Sequence, residues 1–174
     1  MNLTQIALAI IALFICFSTL TFLVFNLISN FIGAPFVPTS KKKIKIVLEF
    51  ADIKKGQRVA ELGSGDGRLV VALAKMGAII DGFEINPILV LASRFDILRL
   101  GLRKKASIYL QSFWDKNLSS FDLVVIYGVP SIMPKLTTKI SKELKSNSKV
   151  ISVDFKIPSL KLIKQEDSVY LYQI

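Results

Sequence analysis

Hydrophobic and polar positions follow several distinct rhythms along the chain, and each rhythm predicts an element. Residues 6–28 are apolar almost without interruption, broken only by Ser18, Thr19, Thr21 and Asn26. About 20 such residues suffice to cross a bilayer as a helix, and a buried helix of that length without a polar face is unusual. Residues 33–40 then carry Pro35 and Pro38, which disfavour continuation of the helix. Residues 42–51 carry Ile44, Ile46, Val47, Phe50 and Ala51 at helical spacing, and residues 52–56 read as a turn. Strands are expected at 58–61, 79–85, 107–111, 123–127 and 150–155. Helices are expected at 68–76, from Asn86-Pro87 to about Leu100, and from Pro130 to about Leu144. Residues 160–163 and 169–172 suit a closing hairpin across Gln165-Glu166-Asp167. Strands alternating with helices predict an α/β fold with a doubly wound, mostly parallel sheet, preceded by one transmembrane helix. The expected organisation is a membrane helix in residues 1–33, a linker with a basic cluster in 34–45, and a folded domain in 46–174.

Charge sharpens the division. Residues 1–40 contain no Asp, Glu, Lys or Arg, so the whole net charge of +10 belongs to the remainder. No basic residue precedes the apolar run, which argues against a cleaved signal peptide. Lys41, Lys42, Lys43 and Lys45 follow it instead, and the positive-inside rule then expects a single-pass protein with its N-terminus outside and its folded domain in the cytoplasm. The basic excess is either a solvated lysine surface or an attraction to anionic lipid headgroups, worth about 1 kcal/mol per residue near the surface. No aromatic-interleaved basic stretch accompanies it, so a nucleic-acid partner is not expected. The chain has no histidine and its one cysteine, Cys16, lies in the apolar run, so no metal site is expected.

The candidate chemistry lies in Glu61-Leu-Gly63-Ser64-Gly65-Asp66-Gly67-Arg68, between an expected strand and an expected helix. Glycines there allow a sharp turn and close approach of backbone N–H groups to a ligand. Glu84, at the tip of the next strand, is placed to accept hydrogen bonds from ribose hydroxyls. A loop of this kind, with no Gly-Lys-[Ser/Thr] ending, is not a P-loop. Its Gly-x-Gly-x-Gly spacing also departs from the dinucleotide fingerprint, and Asp66 would repel a pyrophosphate. A nucleoside-like ligand with an ammonium group and no phosphate suits it better.

Glu61–Arg68 and Gly82-Phe-Glu-Ile-Asn-Pro87 together resemble the first two motifs of class I S-adenosylmethionine-dependent methyltransferases, whose fold is Rossmann-like. Pro35-Phe-Val-Pro-Thr39, Phe113-Trp114 and Tyr127-Gly-Val-Pro130 narrow the resemblance to membrane-associated protein-lysine methyltransferases, over about residues 34–158. Mitochondrial members of that family modify the adenine nucleotide translocase and the ATP synthase c-subunit. The resemblance implies S-adenosyl-L-methionine as cofactor. Glu61, Gly63, Ser64, Gly65, Asp66 and Gly67 would hold its methionine part, with Asp66 near the ammonium. Glu84 would bind the ribose, Ile85 and Asn86 would flank the adenosine, and Ser112, Phe113 and Trp114 would border the adenine. An aspartate is expected where Ser112 stands; a serine hydroxyl still accepts a hydrogen bond, and Asp115 is an offset substitute.

On the acceptor side the resemblance implies a pocket at Tyr127, Gly128, Val129 and Pro130. There a lysine amine would be desolvated to its neutral form and oriented by backbone carbonyls. Asp154 is a candidate base or, equally, a strand-exit cap. Trp114 either lines the cleft or belongs to the core. The expected activity is membrane-anchored protein-lysine N-methylation. The alternatives are a lipid, small-molecule or RNA acceptor, and a non-catalytic cofactor-binding scaffold.

Overall fold

The computed structural model describes residues 2–32 and 37–174, and the chain divides into two compact units, residues 1–35 and 36–174. Pro35 and Phe36 of the Pro-Phe-Val-Pro motif lie outside the described residues.

In the first unit a single helix, α1 (Leu3–Ile32), follows the apolar run. Asn2 starts it, its Oδ1 accepting from the Gln5 N–H at 2.9 Å. Two of its hydroxyls are satisfied within the helix: Thr19 donates to the Cys16 carbonyl and Thr21 to that of Phe17. Thr4–Val24, with a mean hydropathy of 2.6, is long and apolar enough to cross a membrane.

The second unit is a seven-stranded sheet of order β3-β2-β1-β4-β5-β7-β6. Its strands are β1 (Arg58–Leu62), β2 (Ile79–Glu84), β3 (Ala106–Leu110), β4 (Leu123–Ile126), β5 (Lys149–Val153), β6 (Lys161–Glu166) and β7 (Val169–Gln173). The first five run parallel, and β7 and β6 close the sheet antiparallel. The helices are α2 (Lys41–Ala51), α3 (Arg68–Met76), α4 (Pro87–Arg99) and α5 (Met133–Glu143). Strand residues alternate between two cores. Val59, Leu123 and Val125 pack with α2, α3 and α4, whereas Ala60, Leu62, Val124 and Ile126 pack with α5. Burial on both faces is why the central strands read as apolar runs rather than clean alternations. The doubly wound, mostly parallel α/β sheet is the expected fold.

Several boundaries shift for physical reasons. The helix expected from Lys42 begins one residue earlier, at Lys41, so the basic cluster assigned to residues 34–45 as linker forms the first turn of α2, which Ser40 caps through Lys43 N–H. Strand β5 stops at Val153 because Asp154 takes a left-handed φ of 67°. Left-handed Asp167 and Ser168 make the final turn, one step beyond Gln165-Glu166-Asp167. Pro130 opens a short 3-10 turn, Pro130–Ile132, and α5 begins only at Met133.

Candidate active site

A parallel order with β1 and β4 adjacent brings the loops after β1, β2 and β4 to one edge of the sheet, where such folds bind ligands. The loop after β1 is built by alternate glycines at φ 76°, 54° and 75° (Gly63, Gly65, Gly67). The N–H groups of Gly63 and Ser64 both donate to the Phe83 carbonyl, at 2.9 and 3.0 Å, pinning the loop to the tip of β2. Gly67 starts α3 with no side-chain cap, and a Cβ there would stand 2.8 Å from Ser93 Cβ. Ser93 itself donates from α4 toward the Gly65 carbonyl at 3.0 Å.

Three carboxylates surround this loop, and each is in a different state. Glu84 is an organiser of the backbone. Its Oε2 accepts from Gly65 N–H at 2.9 Å, and its Oε1 accepts from Ile85 and Asn86 N–H, both at 2.8 Å. Asn86 in turn caps α4, accepting from Ile88 N–H at 3.0 Å. Asp66 is paired: Arg68 Nε reaches both of its oxygens, at 2.9 and 3.0 Å. Burial pushes the Asp66 carboxyl up, but the Arg68 hydrogen bonds and charge together hold it below its ordinary value. Arg68 also donates from Nη1 to the Thr39 carbonyl at 3.0 Å.

Glu61 is neither paired nor exposed. It is 5% accessible, and its Oε2 has no hydrogen-bond partner among the described residues. Burial, reinforced by the charges of Asp66 and Glu84, raises its carboxyl well above the ordinary range; only the Val70 N–H opposes this. A buried polar atom without a partner is costly and therefore informative.

At the end of β4, Tyr127 packs against the core on the α2 side and its hydroxyl bonds to Asp154. Burial, then the Asp154 hydrogen bond and charge, push the Tyr127 hydroxyl up to about 12. Lys43, from the first turn of α2, forms an ion pair with the same carboxylate, and both partners are about four-fifths buried. Asp154 is thereby held below its ordinary value: burial raises it, but Lys43 and Tyr127 outweigh burial. A Cβ on Gly128 would lie 2.8 Å from Met133 Cε, so the chain passes too close to α5 for any larger residue without displacement. Val129 is extended, and its carbonyl already accepts from Ile132 N–H at 3.1 Å.

The loop after β3 is held differently. Ser112 caps the 3-10 turn Phe113–Asp115, its Oγ accepting from Trp114 N–H at 3.3 Å. The Phe113 and Trp114 rings lie 4.7 Å apart and pack on the α5-side core. Lys135 sits 4.6 Å from the Trp114 ring centroid.

The ANTKMT methyltransferase domain family matches residues 61–164, from Glu61 to the middle of β6. The chain belongs to that family. Its fold is that of class I S-adenosylmethionine-dependent methyltransferases. The ATP synthase c-subunit lysine N-methyltransferase of Homo sapiens is 40% identical over 124 residues, covering 71% of this chain and 53% of that protein. The chain thus spans about half the length of that relative. A protein-lysine N-methyltransferase of Saccharolobus islandicus (strain REY15A) is 32% identical, with 80% of this chain and 93% of that protein covered. Among solved structures, an RNA methyltransferase from Salinibacter ruber in complex with S-adenosyl-L-homocysteine superposes with a TM-score of 0.73 at 30% identity. It covers 79% of this chain and 94% of that one.

Within this methyltransferase fold, the geometry joins the residues quoted from the sequence into two groups. Gly63–Gly67, Glu84, Ile85 and Asn86 form one hydrogen-bonded cluster, and the buried Glu61 joins it through the charges of Asp66 and Glu84 rather than through a bond. Tyr127 and Asp154 form a second, while Phe113 and Trp114 pack on the opposite face of the sheet from Tyr127. Sequence reasoning missed Lys43, Arg68 and Ser93 as members of these groups. Arg68 sits beside the acid it pairs with, a short-range signal that was available. Lys43 is 111 residues from Asp154, and nothing local marks the pair.

Proposed function

We propose that this chain is a membrane-anchored protein-lysine N-methyltransferase that uses S-adenosyl-L-methionine. The observation that carries the cofactor reading is the buried, partnerless Glu61 Oε2 beside a loop whose other acid, Asp66, is already neutralised by Arg68. A cationic ligand group at Glu61 would supply the missing partner and restore the ionised carboxylate. Glu84 would face the ribose with whichever lone pairs its three backbone donors leave free. Ile85, Asn86, Ser112, Phe113 and Trp114 would border the adenosine.

When bound, the cofactor supplies an electrophilic methyl group on a sulfonium. The chain's own task is to present a neutral lysine amine in line with it. Tyr127, Gly128, Val129 and Pro130 would form the acceptor pocket, where desolvation lowers the pKa of the incoming amine. With its hydroxyl protonated up to about pH 12, Tyr127 orients and does not act as the base. Asp154, already bonded to Lys43 and Tyr127, positions Tyr127 and is a poor proton acceptor.

Relatives named for the ATP synthase c-subunit and for the adenine nucleotide translocase support a membrane-protein acceptor. The apolar span Thr4–Val24, which overlaps the apolar run at residues 6–28, and the basic α2 start support a bilayer-crossing single pass with the N-terminus outside and the catalytic domain cytoplasmic. The Salinibacter ruber structure favours a second reading, an RNA acceptor. The test is incubation of the full-length chain with methyl-labelled S-adenosylmethionine and either native membranes, purified ATP synthase c-subunit, or total RNA. Label mapped to a lysine of a membrane protein is the expected result. Label in RNA alone would replace the acceptor class. Cofactor binding without transfer to any of them would leave a scaffold.

A further inference from the structure

Helix α4 presents an outward face that a water-exposed helix does not ordinarily have. Val90, Ser93 and Ile97 are buried against the sheet. On the opposite side stand Ile88, Leu91, Phe95 and Leu98, which are 46, 66, 65 and 55% exposed. Their spacing of three, four and three residues draws one continuous apolar stripe along the helix. From Ile88 to Leu98 the stripe is about 15 Å long at the helical rise of about 1.5 Å per residue. With apolar residues on both its buried side and its outer side, and its charges confined to Arg94, Asp96 and Arg99, α4 carries an outer face that calls for a cover.

The surroundings of the stripe are cationic. The only acid on α4, Asp96, is engaged by Arg99 at 3.1 Å. Beyond the helix the chain turns through Arg103, Lys104 and Lys105, all exposed and without a carboxylate partner among the described residues. An apolar stripe flanked by unneutralised Arg and Lys is the pattern of a helix that lies in the interface of an anionic bilayer.

We propose that α4 docks flat on an anionic membrane surface, its stripe entering the headgroup–acyl boundary while Arg103, Lys104 and Lys105 meet the lipid phosphates. Asn86 and Pro87, at the start of α4, stand two and three residues after Glu84, and the Asn86 N–H donates to Glu84 Oε1 at 2.8 Å. Docking therefore holds one rim of the candidate cleft at the bilayer surface, where a lysine of a membrane protein would emerge. The placement of α4 is a separate claim from the spanning of α1, and the experiment separates them.

Full-length protein on a Cys16→Ser background receives a single fluorescent probe at Leu91→Cys, at Leu13→Cys in α1, or at Ile163→Cys on β6. Each is reconstituted in phosphatidylcholine vesicles with or without about a third phosphatidylglycerol, and with acyl-brominated lipid as quencher. We expect several-fold quenching at Leu91 in anionic vesicles, much less in neutral ones, and none at Ile163. Arg103→Glu with Lys104→Glu and Lys105→Glu should bring the Leu91 signal down to the Ile163 level. Quenching at Leu91 without quenching at Leu13 would support α4 docking and overturn the span. A Leu91 probe as water-accessible as Ile163 in both vesicles, with Leu13 quenched, would overturn docking alone. A Leu91 probe shielded equally in detergent, in proportion to protein concentration, would replace the membrane by a second copy of the chain.

Discussion

Replacing Glu61 by Gln keeps the shape of the side chain and removes its charge, and two effects of opposite sign follow. The first concerns stability. In the folded chain the Glu61 carboxyl lies above its ordinary value of 4.5, because burial and then the Asp66 and Glu84 charges disfavour ionisation. Between 4.5 and that raised value the folded state holds a proton that the unfolded state has released. Stability must therefore fall as pH rises through this window. Glu61→Gln lacks this slope, so its advantage over the wild type should open above about pH 4.5 and level off once the wild-type carboxyl is ionised in the fold. The second effect concerns the cofactor. Loss of a hydrogen bond to a charged group costs about 1.5–3 kcal/mol, which is roughly a 10- to 150-fold loss of affinity. Binding to the wild type should also release a proton on the acid side, because an ammonium beside Glu61 favours the ionised form. Thermal melts across pH and calorimetry in two buffers of different ionisation enthalpy measure both. Equal pH slopes in the two proteins, together with equal affinities, would refute the assignment of Glu61 as the ammonium partner.

Glu84→Ala strips the acceptor from Gly65, Ile85 and Asn86 N–H at once, so it should lower the melting temperature as well as cofactor affinity, whereas Glu84→Gln, which keeps an amide oxygen, should recover much of the melting temperature. Paired melting and binding curves distinguish the two variants. Lys43→Met should destabilise the chain at neutral pH, with the difference vanishing in acid: Asp154 is held low in the fold, so its contribution is present above 3.8 and lost as pH falls through the folded value. Tyr127→Phe should lower kcat/KM about tenfold or more if its hydroxyl orients the acceptor, while leaving the shape of the pH–rate profile below pH 10 unchanged, since the hydroxyl titrates only near 12. Gly82→Ala should cost about 1–3 kcal/mol in a urea titration, because its Cβ would stand 2.6 Å from Ile108 Cδ1 and 2.9 Å from Ser64 Cβ.

Local rules made the α/β order legible. Each helix of the folded domain presents an apolar face, and each central strand is a short apolar run bounded by turn residues. The rules failed at single residues held in left-handed backbone by long-range contacts. Asp154 ends β5 with its N–H on the Ser168 carbonyl and its carboxylate on Lys43, neither of which a window of neighbours contains. The glycine loop was legible because three positive-φ turns in five residues leave a compositional mark. The division of labour among its acids was not. Glu61, Asp66 and Glu84 look alike in sequence, yet one is buried with an oxygen left without a partner, one is paired with Arg68, and one holds three backbone donors. The family resemblance places Asp66 near a ligand's ammonium. The Arg68 pair occupies Asp66, and the partnerless Oε2 of Glu61 is what supports giving that role to Glu61 in the proposed function.

The residues between Thr39 and Lys43 show why the start of the domain is more than a tether. Thr39 is buried, its carbonyl takes Arg68 Nη1, and Ser40 caps the helix that delivers Lys43 to Asp154. One five-residue segment thus touches the end of the glycine loop through Arg68 and, through Asp154 and Tyr127, the proposed acceptor pocket. Neither contact involves a group expected to touch the methyl donor directly, so under the proposed function the segment would hold the two halves of the cleft in register. A displacement of about 1 Å between reacting groups can cost on the order of 100-fold in rate. On that reading, folding the basic turn of α2 into the domain would let the Lys43–Asp154 pair contribute to the alignment of the site as well as to the charge balance of the domain.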